Sequence, residues 1–166
     1  MPEKTFNVLF LCTGNSARSI IAEALTNNLA LTQGKFRGFS AGSHPKGKVN
    51  NYALEVLRRN HVATDDLRSK PWDEFAKPGA PVMDFVITVC DQAAGEQCPV
   101  WPGQPMTAHW GMPDPAAVEG TVDEIRQAFL NTTVELRRRI ELLASLPLEK
   151  LDRIALQKKV RGIAQQ

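Results

Sequence analysis

Apolar positions along the chain fall into short continuous runs that alternate with longer helical repeats. The short runs are rich in β-branched and aromatic residues, which predicts strands buried inside a sheet. These runs are Phe6–Leu11, Phe36–Ala41, Met83–Cys90 and the segment MTAHWG at 106–111. The chain therefore predicts four strands, with Cys90 at the carboxyl end of the third.

Helical spacing of apolar residues separates these strands. It covers Ile20–Leu31 and Asn50–Asn60, and a long amphipathic repeat runs from Val122 to Leu143 before Pro147 ends it. We expect Arg137–Arg139 to form the wet face of that long helix. The segment at 68–81 carries three prolines and predicts a loop with at most a short helix. Alternating strands and helices predict an α/β fold, a doubly wound parallel sheet of four strands flanked by helices.

The 166 residues fit a single domain, 1–166, in which about 147–166 form a C-terminal extension with a small helix. A net charge of +2 gives no reason to expect nucleic acid or a membrane as partner. We interpret the first twelve residues as a strand and not as a signal peptide. With three cysteines and no secretion signal, we expect a protein of the reducing cytoplasm, whose thiols are either buried or reactive. We also expect a monomer.

The stretch LCTGNSARS lies between the first predicted strand and the first predicted helix. Backbone N–H groups in such a turn point to one place, and the helix dipole adds positive charge there, which favours a bound oxyanion. Arg18 can grip two oxygens of the anion at once. The expected oxyanion loop consists of Thr13, Gly14, Asn15, Ser16, Ala17, Arg18 and Ser19.

Cys12 precedes this loop, so the dipole and Arg18 are expected to lower the pKa of its thiol and to make it a nucleophile. Gly14 and Asn15 tolerate the left-handed backbone that an anion cradle needs. The segment at 42–49 (GSHPKGKV) nearly matches a nucleotide-binding loop, but Val49 replaces the hydroxyl that would hold magnesium, so we interpret it as a polar loop. The histidines and cysteines lack zinc-ligand spacing.

The pattern C-x5-R-S after a strand resembles the low-molecular-weight protein tyrosine phosphatase superfamily, and within it the arsenate reductases. The resemblance extends from NVLFLCTGNSARS through VITVCD and CPVWPG to AHWGMPDPA, and weakens after the long helix. It implies the same α/β fold, with strand order 2-1-3-4. It also implies that Cys12 is the nucleophile, Arg18 the oxyanion clamp and Asp114 the general acid.

The other cysteines bear on the choice between hydrolysis and reduction. Hydrolysis of a phosphate ester needs one thiolate, whereas reducing arsenate to arsenite needs two electrons, which two thiols can supply. In a 2-1-3-4 sheet the first and third strands are neighbours, so Cys12 and Cys90 lie at adjacent carboxyl ends, compatible with a disulfide. The resemblance adds a relay in which Cys98 takes over the disulfide and passes it to an external thiol reductant, although its spacing from Cys90 is one residue longer than in the thioredoxin-coupled enzymes.

The expected activity is therefore reduction of arsenate, with phosphate or sulfate as competing oxyanions and thioredoxin, or glutaredoxin with glutathione, as reductant. Ala116 and Ala117 stand where the phosphatases carry aromatic residues, which suits a small bare anion. A weak potassium site at Asn15, Glu23 and Ser40 matches some relatives in part; no other cofactor is expected. The alternatives are a phosphatase of proteins or small phosphoesters, and a non-catalytic protein that binds an oxyanion or arsenite.

Overall fold

A computed structural model describes residues 4–96, 99 and 101–165 of the chain. Four strands form its centre: β1 (Phe6–Leu11), β2 (Phe36–Ala41), β3 (Phe85–Thr88) and β4 (Met106–His109). They pair in parallel in the order β2-β1-β3-β4. The predicted four-stranded parallel sheet and its strand order are confirmed, while β3 ends two residues before Cys90.

Among the described residues, five helices connect and cover the strands: α1 (Arg18–Asn28), α2 (Asn51–Arg59), α3 (Asp91–Ala94), α4 (Val122–Ser145) and α5 (Arg153–Gly162). Single 3₁₀ turns occupy Trp72–Phe75, Pro115–Ala117 and Ile163–Gln165. The start of α4 is fixed by a capping box, in which Thr121 and Glu124 satisfy each other's backbone N–H groups. In the ranges described, no helix is both long and apolar enough to cross a bilayer.

The two faces of the sheet bury different parts of the chain, because side chains alternate along each strand. The face carrying Val8 and Phe10 packs against the apolar sides of α1, α2, α4 and α5. The opposite face, with Leu9 and Leu11, is covered by a smaller cluster that includes Phe75. Irregular segments cover this second face. The carboxyl ends of β1 and β3 lead into the loops that line a pocket.

The predicted C-terminal extension contributes to the main core. Leu156, Val160 and Ile163 are buried there, and the indole of Trp110, itself fully buried, donates a hydrogen bond of 3.0 Å to the Val160 carbonyl. Residues after Pro147 therefore hold the end of β4 in place.

Arg139 corrects one expectation about α4. Its side chain is buried and donates a 2.8 Å hydrogen bond to the carbonyl of Trp110, whereas we expected a wet face. The helical repeat explains this, since residue 139 lies three positions after the buried Leu136 and four before the buried Leu143, on the same side of α4. Arg139 thus fixes the chain just before the segment that carries Asp114.

Candidate active site

The loop at residues 12–17 joins β1 to α1 and folds back tightly on itself. Asn15 has a φ of 41°, the left-handed conformation predicted for this position, and its N–H donates to the Cys12 carbonyl at 3.2 Å. The buried Asn15 side chain accepts from the backbone N–H of Lys70 and donates to Ser19 Oγ, both at 2.8 Å. Ser19 therefore supports the loop from behind and does not line the pocket.

A second loop, at residues 42–49, runs beside the first. The N–H groups of His44 and Lys46 donate to the carbonyls of Thr13 and Gly14, both at 2.9 Å. Gly42 is needed at the crossing, since a Cβ there would lie 2.5 Å from the Thr13 carbonyl oxygen. The segment that we interpreted as a polar loop thus brings His44 and Lys46 to the pocket, and neither was predicted as a site residue. Both residues follow β2, whose carboxyl end lies beside that of β1. This position in the sequence could have predicted them as pocket residues.

Arg18 opens α1 and reaches across the mouth of the loop. Its side chain is 13% exposed; Nη1 donates to the Met112 carbonyl at 2.9 Å, and Nη2 lies 3.7 Å from Asp114 Oδ2. Nε is buried and has no hydrogen-bond partner in the part of the chain that the structure describes. A buried donor without a partner is costly, and an oxyanion in the loop would satisfy it.

Asp114 lies on the opposite rim. Its Oδ1 accepts from the N–H of Ala116 at 2.9 Å, which caps the turn Pro115–Ala117 and fixes the carboxyl group beside Arg18. The side chain is 39% exposed, so proton exchange with solvent is available to it. The structure thus brings together the residues to which the resemblance assigned the nucleophile, the clamp and the acid.

The sulfurs of Cys12 and Cys90 meet at the floor of the pocket. Both thiols are free and buried, both line the same pocket, and the N–H of Thr13, the residue after Cys12, donates to Cys90 Sγ at 3.4 Å. The N–H of Val89 donates to the Leu11 carbonyl at 2.9 Å, so the ends of β1 and β3 continue side by side beyond the paired strands. The expected closeness of the two cysteines is confirmed.

The charge on this pair differs from the expectation for Cys12. The neighbouring Cys90 sulfur, and then burial, raise the pKa of the Cys12 thiol, although Arg18 acts in the opposite direction. The neighbouring Cys12 lowers the pKa of Cys90 to about 5, against the effect of burial and with help from the N–H groups of Thr13 and Ala93. The expected lowering of the Cys12 pKa is therefore wrong for the protein without its ligand, because the coupling of the two thiols acts in opposite directions on them.

The segment after α3 is fastened to the same loop by Glu96. Its carboxylate accepts a 2.7 Å hydrogen bond from Thr13 Oγ1 and a second one from Ser43 Oγ. Burial raises the pKa of Glu96, but these hydrogen bonds and the nearby His44 outweigh it and lower that pKa overall. Cys98, the predicted relay thiol, lies outside the described residues.

The three predicted potassium ligands, Asn15, Glu23 and Ser40, are brought together behind the loop, and a lysine joins them. Lys70 Nζ lies 3.3 Å from Glu23 Oε1 and 3.4 Å from Ser40 Oγ. Elsewhere in the described ranges, no group of three His, Cys, Asp or Glu side chains could hold a metal ion. Lys70 was not predicted, because the segment that carries it has no helical or strand repeat.

The pocket is lined by the loop at 12–18 together with Cys90, Asp114, His44, Lys46 and Ala116. The pocket is therefore surrounded by three basic side chains, one carboxyl group and two sulfurs. The backbone of the loop at 12–18 closes one side of it. The arrangement can bind a small oxyanion, attack it with sulfur and supply a second sulfur to the first. Ala116 leaves the rim without an aromatic wall.

Comparison with known proteins gives one family and several close relatives. Residues 7–158 match the family described as low molecular weight phosphotyrosine protein phosphatase. The arsenate reductase of Bacillus licheniformis is 34% identical over 144 residues, which cover 87% of this chain and 97% of that protein. That of Oceanobacillus iheyensis is 31% identical over 137 residues, 82% of this chain and 94% of the relative.

Among solved structures, a thioredoxin-dependent arsenate reductase from Corynebacterium glutamicum superposes with a TM-score of 0.55 at 27% identity. The match covers 86% of this chain and 65% of that one.

Proposed function

This chain belongs to the low molecular weight phosphotyrosine protein phosphatase family, and from that premise we propose that it reduces arsenate to arsenite. One observation carries the proposal. A second free and buried thiol, Cys90, lines the floor of the oxyanion pocket together with Cys12. Hydrolysis would need only Cys12, whereas reduction needs this second sulfur.

In the first step, arsenate occupies the loop, where backbone N–H groups and Arg18 hold its oxygens. Cys12, after passing its proton to the Cys90 thiolate, attacks arsenic and forms an S–As bond. One oxygen leaves as water, and Asp114 donates the proton that it needs. The 3.7 Å approach of Arg18 to Asp114 supports this arrangement, because it brings the acid to the rim that a departing oxygen faces.

In the second step, the Cys90 thiol gives the proton it received to an oxygen on arsenic, and its sulfur attacks Cys12. The S–S bond forms as the S–As bond breaks, and the electron pair of the S–As bond stays on arsenic, which leaves as arsenite. Two thiols are oxidised to one disulfide while arsenic gains two electrons, so the reaction balances. The hydrogen bond from the Thr13 N–H to Cys90 Sγ, at 3.4 Å, supports this role because it favours the Cys90 thiolate.

The disulfide must then be reduced from outside, and we propose thioredoxin as the donor. A relative of 27% identity is described as thioredoxin-dependent, and Cys98 follows Glu96 by only two residues. Glutaredoxin with glutathione is the alternative. Because the cycle needs its thiols returned to the reduced state, we expect the protein to act in the reducing cytoplasm.

Cys90→Ser separates reduction from hydrolysis. We expect the variant to lose arsenite production with thioredoxin and its reductase, while hydrolysis of p-nitrophenyl phosphate persists because it needs only Cys12. Cys98→Ser is the matched control: it should release about one arsenite per chain, accumulate a Cys12–Cys90 disulfide and then stop. The disulfide can be identified by mass mapping of peptides.

Three outcomes would overturn the proposal. Normal arsenite production by Cys90→Ser removes Cys90 from the chemistry. Efficient ester hydrolysis by the wild type, without arsenate reduction under any thiol reductant, makes the protein a phosphatase. Tight arsenate binding without turnover of either substrate makes it an oxyanion-binding protein. Sustained turnover of Cys98→Ser with thioredoxin would remove only the relay.

A further inference from the structure

Lys70 is a buried cation that the proposed chemistry does not use. Its side chain is 6% exposed, and Nζ contacts the Arg68 carbonyl at 3.0 Å as well as Glu23 and Ser40. An ammonium group removed from water is unfavourable unless oxygens surround it and an opposite charge neutralises it. Burial lowers the pKa of Lys70, and the Glu23 carboxylate opposes that effect.

The cation is tied directly to the anion-binding loop. The Lys70 backbone N–H donates to Asn15 Oδ1 at 2.8 Å, and Asn15 is the residue held in the left-handed conformation. The neighbouring Ser69 Oγ donates to the Gly14 carbonyl at 3.3 Å. Asn adopts such a backbone more readily than other non-glycine residues, and the hydrogen bond from Lys70 fixes its side chain there. The segment that carries Lys70 thus helps to hold the conformation of the loop at 12–17.

The oxygens around Nζ are those that would hold a small hard cation. They are a carboxylate from α1, a hydroxyl from β2 and a backbone carbonyl, and Ser40 Oγ also donates to Glu23 Oε1 at 2.6 Å. Glu23 supplies one negative charge, and the Lys70 ammonium already neutralises it. Potassium does not fit these ligands while Lys70 is in place.

We propose that Lys70 takes the place of a bound monovalent cation and is a positioning residue for the oxyanion loop. Its ammonium holds Glu23 and Ser40 together, and its backbone holds Asn15 in the conformation that directs the loop N–H groups inward. Oxyanion binding then needs no potassium. The inference deepens the proposed function, but it concerns the loop and not the redox steps.

The first test uses the wild-type protein and inorganic phosphate as the probe, without reductant turnover. Phosphate affinity and the thermal unfolding midpoint are measured in potassium, sodium and choline chloride at equal ionic strength. We expect no difference among the three salts. A saturable increase of either quantity with potassium would overturn the proposal, and that result would not depend on whether the chain reduces arsenate.

The second test compares Lys70→Ala with Lys70→Met. Lys70→Ala removes the charge and opens a space, so phosphate affinity should fall about 10–100-fold in sodium and the unfolding midpoint by about 5–15 °C. Potassium or ammonium chloride should restore both in a saturable manner. Lys70→Met fills most of the space, so we expect the same loss without recovery.

The two variants separate positioning from packing. Equal losses that no cation restores would assign Lys70 a purely structural role, and unchanged phosphate affinity in both would remove it from the loop. If Lys70→Ala does not fold in sodium, refolding in potassium should recover a phosphate-binding protein. Failure in both salts, combined with potassium dependence of the wild type, would refute the proposal.

Discussion

Cys12 and Cys90 lie at the ends of neighbouring strands, yet their surroundings differ. Cys12 faces the oxyanion loop and Arg18, whereas Cys90 directly precedes α3 and receives hydrogen bonds from the N–H groups of Thr13 and Ala93. These surroundings raise the pKa of Cys12 and lower that of Cys90. The sulfur with the lower pKa is therefore not the one that the oxyanion loop places beneath the anion, and in the proposed reaction a proton passes from Cys12 to Cys90 before the attack.

The largest expected effect comes from Cys12→Ser. A neutral hydroxyl replaces the sulfur beneath the anion, so reduction and ester hydrolysis should both fall by roughly 10⁴-fold or more. Phosphate should still bind, because the loop and Arg18 remain. Steady-state assays and phosphate titration measure the two effects. Cys90→Ser, which should lose reduction alone, is the matched partner; if both variants lose both activities equally, the two sulfurs do not have separate roles.

Asp114→Asn should have the next largest effect. Its amide cannot donate a carboxylic proton but keeps the oxygen that caps the turn Pro115–Ala117, so the first chemical step should slow by about 10²–10⁴-fold. Esters with better leaving groups should lose less. Assays over a series of aryl phosphates measure this trend, and an equal loss for all leaving groups would mean that Asp114 only holds the loop.

The charge asymmetry of the sulfurs can be titrated directly. In a Cys98→Ser background, thiolate ultraviolet absorbance should report one ionised sulfur per chain, with a midpoint near pH 5 assigned to Cys90. Adding Cys12→Ala removes the neighbouring thiol that most lowers the pKa of Cys90, so the midpoint should move to higher pH. If the midpoint stays unchanged, or if two thiolates appear together, the titrations of the two sulfurs are not coupled.

The smallest expected effect is on stability. The folded pKa of Cys90 is lowered to about 5, so its contribution is lost as the pH falls through that value and grows up to the unfolded thiol pKa of about 8.5. Above that pH the raised pKa of Cys12 works in the opposite direction. Thermal midpoints of Cys90→Ala and wild type, measured under reducing conditions, should diverge as the pH rises from about 5 to 8. A constant difference would contradict the assigned charge.

The same comparison separates what could be predicted from what could not. The loop at 12–18 was recognisable because its chemistry is local: seven consecutive positions supply the nucleophile, the backbone cradle and the arginine. The closeness of Cys90 followed from sheet order, since parallel strands bring their carboxyl ends to one edge. The raised pKa of Cys12 could not be predicted, because it depends on burial and on a second sulfur that lies 78 residues away in sequence.

The sequence by itself thus determined the strands, the parallel sheet and the oxyanion loop, because apolar periodicity and turn chemistry act over a few residues. The loops that support the site could be identified only from the tertiary structure, because long-range hydrogen bonds place them. His44, Lys46 and Lys70 come from irregular segments whose positions depend on hydrogen bonds with the 12–17 loop and with α1. The burial of Arg139 could not be predicted for a related reason. An arginine in a sequence predicts exposure to solvent, and only the fold brings the buried carbonyl of Trp110 within hydrogen-bond distance of this one.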